Sequence, residues 1–311
     1  MPRQPDTPGM DGILVVAKPA GPTSHDVVAL VRRLAGTRRI GHGGTLDPFA
    51  SGVLPLFLGA ATRLVEYHLG DEKAYRATVC FGATSSTDDL DGELTPVEGQ
   101  PPSREAVEAA LQAMLGPQLQ TPPAYSAIQV GGRRAYALAR AGEATELPPR
   151  RVVLRSLELL EWDDRDAARP IAVLDVVCSA GTYVRAVARD LGVAVGSGAY
   201  LGALVRLRSG PFSLEDGQAL DALRTAAADR GPAGIRELLL PADFGLDRLP
   251  AVELTRAEIS DATQGRFVRP AAGVADAPED VPLRLLDEAG AIVGIGRRDG
   301  RRIAPTKILH R

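Results

Sequence analysis

The sequence predicts an α+β fold, in which a mixed or antiparallel central sheet is flanked by helices and followed by a small β-rich domain. Three observations support this prediction. The 311 residues are enough for about two domains, each with its own core. Strand and helix patterns interleave irregularly, which disfavours a doubly wound parallel sheet. From about residue 245 onward, short strand patterns dominate.

The N-terminal half opens with a polar lead-in over residues 1–11, which we expect to be disordered. An apolar run at 12–17 predicts a buried strand, and Ser24 predicts the N-cap of an amphipathic helix that ends at a glycine. Alternation over 73–81 predicts a strand with one buried face. A further helix is expected to start near Ser103.

An acidic loop lies between this strand and this helix and contains Asp88, Asp89 and Asp91. The three aspartates suggest a calcium site, but the downstream glutamate of a calcium-binding loop is missing. We therefore interpret this segment as a solvated turn.

The C-terminal half continues with strands at 152–160 and 171–178. Thr182 predicts the cap of the next helix. A composition change near residues 245–250 predicts a domain boundary. The predicted domains are then 12–245 and 246–311.

Composition and charge exclude several classes of protein. The longest apolar run is interrupted by Pro55 and is too short to span a bilayer, and no secretory signal is visible. We expect a cytoplasmic protein. Cys80 and Cys178 have no nearby cysteine or histidine, so neither a disulfide framework nor a metal site is expected. The net charge of −3 opposes a uniformly basic nucleic-acid binder. Local basic segments can still contact phosphates; they lie near residues 32–39, 129–155 and 297–311.

The stretch "RIGHGGTLDPFASGVLP", residues 39–55, is the strongest candidate for chemistry. Its glycines fit no phosphate-binding loop, and Ser51 is not flanked as in a nucleophile elbow. His42 and Asp47 lack a third metal ligand nearby. A carboxylate in a closed, glycine-rich loop can act as a nucleophile or a general base. Taken alone, however, "LDP" is more typical of an ordinary turn than of a catalytic loop.

Five segments in one order change this balance: "GILVVAKPAGPTSHD", "GHGGTLDPFASGVLPLFLGAATRL", "KAYRATVCFGATSSTDDLDG", "PPAYSAIQVGGRRAYALAR" and "CSAGTYVRAVARDLG". Over about residues 12–215 the chain resembles the TruB family of bacterial tRNA pseudouridine synthases. The segment from "GRFV" to "GIGRRDGRRIAPTKIL" resembles the small RNA-binding PUA domain that follows in many family members.

The resemblance implies the pseudouridine-synthase fold with a PUA-like domain at 246–311. It also implies isomerisation of uridine 55 in the T loop of tRNA. No atom is gained or lost, so neither cofactor nor metal is needed. The implied partner is the T arm of tRNA, with no membrane involved, and we expect a monomer.

Residue roles follow from the same resemblance. Asp47 is the implied catalytic aspartate, and the sequence leaves attack on the ribose C1′ or on the base open. Arg185 is expected to pair with Asp47 and keep it ionised. Tyr75 is expected to stack on the flipped uracil and to help remove the C5 proton, although a free phenol with a pKa of about 10 is a poor base.

The implied binding residues surround this catalytic set. His42 is expected to fill the gap that the flipped nucleotide leaves in the T loop. Lys18 is expected to support the catalytic loop beside the substrate. The resemblance also implies an insertion at 124–151 that clamps the T loop. The remaining expected binding residues are Tyr183, Leu204, Arg133 and Arg134.

Two other classes of protein remain open at this point. One is a non-catalytic tRNA-binding or tRNA-folding module on the same scaffold, which the joint presence of Asp47, Tyr75 and Arg185 disfavours. The other is an aspartate-dependent hydrolase of a small substrate, which a metal, a deep anionic pocket or activity without RNA would favour.

Overall fold

The computed structural model describes residues 9–126, 128–143, 147–269, 278–279 and 281–309. Its strands are β1 (Gly12–Lys18), β2 (Ile40–His42), β3 (Ser51–Leu58), β4 (Lys73–Phe81), β5 (Ala83–Ser85), β6 (Leu94–Pro96), β7 (Gly116–Gln120), β8 (Gln129–Val130), β9 (Arg133–Arg134), β10 (Arg150–Asp163), β11 (Ile171–Cys178), β12 (Ala199–Ser209), β13 (Phe212–Ser213), β14 (Gln218–Ala219), β15 (Ala251–Glu253), β16 (Pro282–Leu286), β17 (Ile292–Asp299) and β18 (Arg302–Ile308). Its helices are α1 (Ser24–Ala35), α2 (Glu66–Leu69), α3 (Arg104–Ala113), α4 (Ala135–Arg140), α5 (Val184–Ala194), α6 (Leu220–Arg230), α7 (Pro232–Arg236) and α8 (Arg256–Thr263). A 3₁₀ helix, Gly59–Leu64, precedes α2.

One large sheet organises the first three quarters of the chain. Its main strand order is β14-β1-β3-β12-β4-β11-β10-β7, with β2 beside β3 and β13 beside β12. β1 pairs with β14 and β3 with β12 in parallel, whereas the neighbouring pairs along the centre are antiparallel. The sheet is therefore mixed, as predicted. β3, β12 and β4 lie side by side at its centre.

Helices α1, α3 and α5 contribute to one core against this sheet. The members of that core include Val27, Val31, Val107, Leu111 and Leu191, all at most 1% exposed. Their spacing within each helix gives one apolar stripe, which is the pattern of a helix packed on a sheet. Apolar side chains of β1 and β3 that point the other way form a second cluster.

The start of α1 differs by one residue from the prediction. Thr23, and not Ser24, is the N-cap: its hydroxyl accepts from the backbone N–H of Asp26, whose carboxylate accepts from the Thr23 N–H in return. The Ser24 hydroxyl is buried and bonds Leu46 instead. Gly36, with a φ of 62°, ends the helix in the left-handed conformation.

The predicted lead-in is only partly within the described residues, because residues 1–8 lie outside them. At its end the expectation of disorder is wrong. Met10 is 2% exposed and packs in the main core, and the Asp11 carboxylate accepts a hydrogen bond from the Ala60 backbone N–H. An apolar side chain and a cap on the 3₁₀ helix hold the chain there.

A second, four-stranded sheet follows, in the order β15-β16-β17-β18. It has its own apolar cluster with α8, built on Leu254, Leu283 and Ile303. The prediction of a small β-rich region after the mixed sheet is therefore confirmed. That a domain boundary lies at 245–250, and that the region is PUA-like, remain predictions.

The second sheet contacts the first part of the chain through the 3₁₀ helix and α2. Leu64 packs in one cluster with Ile292 and Ile295, and Lys307 forms an ion pair with Glu66 at 2.6 Å. No helix of the described ranges is long and apolar enough to cross a membrane.

Candidate active site

Asp47 lies in the loop between β2 and β3, and neighbouring residues fix the position of that loop. The buried Ser24 hydroxyl donates to the Leu46 carbonyl at 3.0 Å and accepts from the Leu46 N–H at 2.9 Å. The Gly21 N–H donates to the Pro48 carbonyl at 2.8 Å. The residues on both sides of Asp47 are thus tied to the β1–α1 turn.

Lys18 connects the same turn to the Asp47 loop through hydrogen bonds. Its ammonium donates to the carbonyls of Pro19, Pro22 and Pro48, at 3.0, 2.8 and 3.3 Å, and the residue is only 1% exposed. Burial lowers the Lys18 pKa from 10.5 to about 8, although nearby Asp47 opposes that change. Lys18 therefore bonds the backbone of the loop and of the turn, and at 1% exposure it is too buried to contact a substrate directly.

This buried lysine predicts a pH dependence of stability. Between pH 8 and 10.5 the unfolded chain keeps the Lys18 proton that the folded chain has lost. The contribution of Lys18 to the free energy of unfolding should therefore rise with pH across this window. The free energy of unfolding of the wild type, measured in urea, should therefore rise relative to that of Lys18→Met from pH 8 to 10.5. Lys307→Met is the control without such growth, because the hydrogen bond to Glu66 raises the Lys307 pKa instead of lowering it. A constant Lys18 difference would contradict the prediction.

Arg185, in the first turn of α5, is the centre of the site. Its Nε lies 3.0 Å from Asp47 Oδ2, and its Nη1 lies 3.2 Å from Asp89 Oδ2. It also donates to the carbonyls of Thr87 and Tyr125, at 2.9 and 2.8 Å. With 6% of its side chain exposed, Arg185 joins the Asp47 loop, the acidic loop and the start of the expected insertion.

The acidic loop is not the solvated turn that the sequence predicted. Asp89 is 4% exposed, and its carboxylate accepts from the Thr87 hydroxyl at 2.5 Å and the Asp91 N–H at 3.1 Å. Asp88 forms an ion pair with Arg189 at 2.9 Å. The arginines of α5 supply the charge that lets these carboxylates be buried, which is a tertiary contact that local spacing does not encode.

The electrostatic balance at Asp47 suits a reactive carboxylate. Burial raises the pKa of the Asp47 carboxyl above its usual range; Arg185 opposes this, Asp89 adds to it, and Lys18 opposes it. A carboxylate of raised basicity that still faces a guanidinium is a stronger base than a solvated one. Its side chain remains 37% exposed, so it faces the open side of the site.

Tyr75 and Leu204 lie on the neighbouring central strands β4 and β12. Tyr75 is 8% exposed and Leu204 7%, and both belong to the main core cluster. Tyr75 lies directly across from Arg206 of β12 in the sheet. Burial raises the Tyr75 pKa, and Arg206 opposes this change. Tyr75 also lies near enough to Asp47 for the carboxylate to raise its pKa.

His42 is the last residue of β2, five residues before Asp47. Its ring makes an edge contact with the His25 ring at a centroid distance of 5.9 Å, and its Nδ1 accepts from the Gly44 N–H at 3.4 Å. Burial lowers the His42 pKa, with further lowering by His25 and Arg206. His42 is therefore a neutral ring at neutral pH, suited to stacking against a base.

Tyr183 is the N-cap of α5, where the sequence predicted Thr182. No side chain caps the helix there. Instead, Gln120 of β7 accepts from the Tyr183 N–H at 2.9 Å and donates to its carbonyl at 3.2 Å. The Arg150 guanidinium lies 5.8 Å from the centre of the Tyr183 ring. The side-chain amide of Gln120, bonded to the Tyr183 backbone, therefore holds the start of α5 in place of the expected Thr182 hydroxyl.

No contact among the described residues links the two expected insertion arginines, Arg133 and Arg134, to Asp47. Arg133 is exposed and forms an ion pair with Glu143 at 2.7 Å within the insertion. The Arg134 backbone belongs to β9, but its side chain lies outside the described residues. Residue 127 and residues 144–146 of the insertion also lie outside them.

Four residues whose contacts hold the candidate site together were not found from the sequence: Ser24, Asp89, Gln120 and Arg206. Each acts through a partner far away in the sequence. For Asp89 alone the sequence held a local signal, the run of aspartates around it. That run predicts a structured loop only once its arginine partners are known.

Comparisons with known proteins agree with this architecture. The family described as TruB family pseudouridylate synthase (N terminal domain) matches residues 32–184. The tRNA pseudouridine synthase B of Synechococcus elongatus is 45% identical over 92% of this chain and 94% of its own length. That of Pseudomonas aeruginosa is 38% identical over 96% of each chain, and that of Symbiobacterium thermophilum is 46% identical over 79% of each.

Solved structures show the same fold at lower identity. A Cbf5-Nop10-Gar1 complex contains a chain with a TM-score of 0.71 and 24% identity, over 97% of this chain and 86% of that one. A chain of an H/ACA RNP bound to a substrate RNA containing 2′-deoxyuridine has a TM-score of 0.71 and 22% identity, over 98% of this chain and 91% of that one. The family match and the full-length relatives together place this chain: it belongs to the TruB family of pseudouridylate synthases.

Proposed function

We propose that this protein isomerises uridine 55 in the T loop of tRNA to pseudouridine. The N1–C1′ bond of the nucleotide breaks, the uracil turns within the site, and a C5–C1′ bond forms. C5 loses its proton and N1 gains one, so atoms balance without a co-reactant.

The observation that carries this proposal is the ion pair between Arg185 and Asp47. It places a partly exposed carboxylate against a guanidinium whose side chain is only 6% exposed. Asp47 is the group that attacks the nucleotide, either at C1′ or at the base. Tyr75 stacks on the flipped uracil and takes part in removing the C5 proton, and Leu204 lines the apolar wall.

The experiment that tests the proposed reaction maps the product. A tRNA transcript incubated with the protein is treated with a carbodiimide and read by reverse transcription, which stops at pseudouridine. The proposal expects one new stop at position 55, and none with a transcript that carries cytidine there. Stops at other positions only, or conversion of free uridine without RNA, would refute the proposed substrate.

The T arm is proposed as the binding partner because Arg185 also contacts the root of the insertion. Its bond to the Tyr125 carbonyl at 2.8 Å holds the start of the insertion close to Asp47, which the same guanidinium contacts. The insertion at 124–151 then closes over the T loop, with His42 filling the gap left by the flipped base. Splayed loop bases, unlike a regular A-form groove, are accessible to such a clamp.

Phosphate contacts by the basic segments predict a steep salt dependence of tRNA binding. Each neutralised phosphate should contribute a slope of roughly −0.7 to −0.9 to the plot of log affinity against log salt. Arg133→Met should reduce that slope by about one unit. Filter binding between 50 and 300 mM salt, about the range over which such losses are measured, checks both statements. An unchanged slope would remove Arg133 from the interface.

The second sheet completes the proposal. We place a PUA-like RNA-binding domain at 246–311 after a catalytic domain at 12–245, and we propose a cytoplasmic monomer. The non-catalytic tRNA-binding module stays the alternative, and no observation of the site favours it over the isomerase.

A further inference from the structure

Arg206 is a buried cation to which the catalytic scheme above gives no role. It lies at the centre of β12 and is 1% exposed, and it is the largest fully buried side chain among the described residues. None of the described carboxylates forms an ion pair with it, and burial lowers its pKa. A guanidinium without a counterion is costly to bury, so its other partners must account for its position.

Three of those partners are backbone carbonyls on the Asp47 side of the site. Nε donates to the Val53 carbonyl at 2.8 Å, Nη2 to the Gly44 carbonyl at 3.2 Å, and Nη1 to the Thr45 carbonyl at 3.5 Å. Gly44 and Thr45 come shortly before Asp47 in the loop, and Val53 follows it in β3. One side chain therefore holds both ends of the catalytic loop.

The fourth neighbour is Tyr75 on the opposite neighbouring strand, which is aligned with Arg206 in the sheet and whose phenol lies close enough to the guanidinium for each to shift the pKa of the other. Because a guanidinium only donates hydrogen bonds, it can hold the Tyr75 oxygen only as an acceptor. A contact of this kind leaves the phenol proton available for another acceptor. In the sheet, Arg206 is aligned with Tyr75 on one side and with Gly52 on the other.

Gly52 allows β3 to approach Arg206 this closely. A Cβ at Gly52 would lie 2.2 Å from the Arg206 carbonyl oxygen, and the φ of 116° is itself accessible mainly to glycine. The Asp47 loop thus joins β3 at Gly52, which packs directly against the backbone of Arg206.

We propose that Arg206 is a positioning residue, which holds the Asp47 loop and the Tyr75 hydroxyl in one fixed register against the flipped nucleotide. This inference rests on the proposed isomerase function. It predicts that loss of the fork-shaped guanidinium misplaces both groups while the RNA-binding surface is unchanged. Lysine keeps the charge but reaches too few of the four acceptors.

The test measures single-turnover rates of C5-tritium release and tRNA affinity. Arg206→Met should lower the rate about a hundredfold, the effect typical of a displacement of about 1 Å, and Arg206→Lys should lower it by less. The affinity of both variants for tRNA should stay within about threefold of wild type. Arg208→Met is the matched control on the same strand, since Arg208 pairs with Glu72 away from the site.

A double-mutant cycle with Tyr75→Phe separates positioning from a general loss of structure. If Arg206 acts through the Tyr75 hydroxyl, Arg206→Lys should cost at least about tenfold less in the Tyr75→Phe background than in wild type. Equal costs in both backgrounds, or a wild-type rate for a folded Arg206→Lys, would overturn the inference. Thermal melting checks folding, and if Arg206→Met does not fold, Arg206→Lys decides. An inactive wild type would instead refute the proposed function.

Discussion

Asp47→Asn is expected to lose turnover by about a thousandfold or more, while tRNA affinity and thermal stability stay near those of wild type. Asparagine keeps the shape of the side chain but is neither a nucleophile nor a base at neutral pH. It also keeps an oxygen that can accept from Arg185. Single-turnover tritium release and filter binding measure the two quantities.

The control for this prediction is Asp164→Asn, which neutralises an exposed aspartate far from the loop in sequence. It should retain the wild-type rate. If Asp47→Asn kept its rate within about tenfold of wild type, the role of Asp47 as the reacting carboxylate would be wrong. In wild type the rate should rise with pH across the raised pKa of Asp47, since only the ionised form reacts.

Arg185→Met is expected to nearly abolish turnover with tRNA still bound. The change leaves Asp47 and the buried Asp89 without their cation, so Asp47 takes up a proton and loses its reactivity. Breaking a buried pair in this way should also cost up to about 3 kcal/mol of unfolding free energy. Turnover, affinity and urea unfolding are measured on the same preparation.

Two variants separate charge from geometry in this network. Arg189→Met removes an arginine one turn further along α5 that pairs with Asp88, and it should keep most of the wild-type rate. Arg185→Lys keeps the charge but cannot reach both carboxylates and the two carbonyls, so it should remain far below wild type. Full activity of Arg185→Met would remove Arg185 from the site.

The elements of the fold follow closely from local sequence patterns. Alternation over 73–81 predicted β4 with Tyr75 on its buried face, and the stripe after Ser103 predicted α3. The ends of helices were less predictable, because Thr23 and Ser24 are equally good caps in sequence. Only the contact with Leu46 decides which of them is free to cap.

The candidate site shows the limit of the same reasoning. Glycines and Asp47 marked the loop, and the resemblance added Tyr75 and Arg185. Asp89 looked like part of a solvated turn because its partner Arg185 comes almost a hundred residues later. Arg206 had no sequence signal, since a single arginine in an apolar strand does not reveal which carbonyls it bonds.

The most direct test of the central claim is tritium release from tRNA labelled at uridine C5, with wild-type protein and no added cofactor. We predict release of one tritium per tRNA, arising from position 55, with free uridine inert. Undiminished tRNA binding without any release would contradict the isomerase function and leave a tRNA-binding module on this fold.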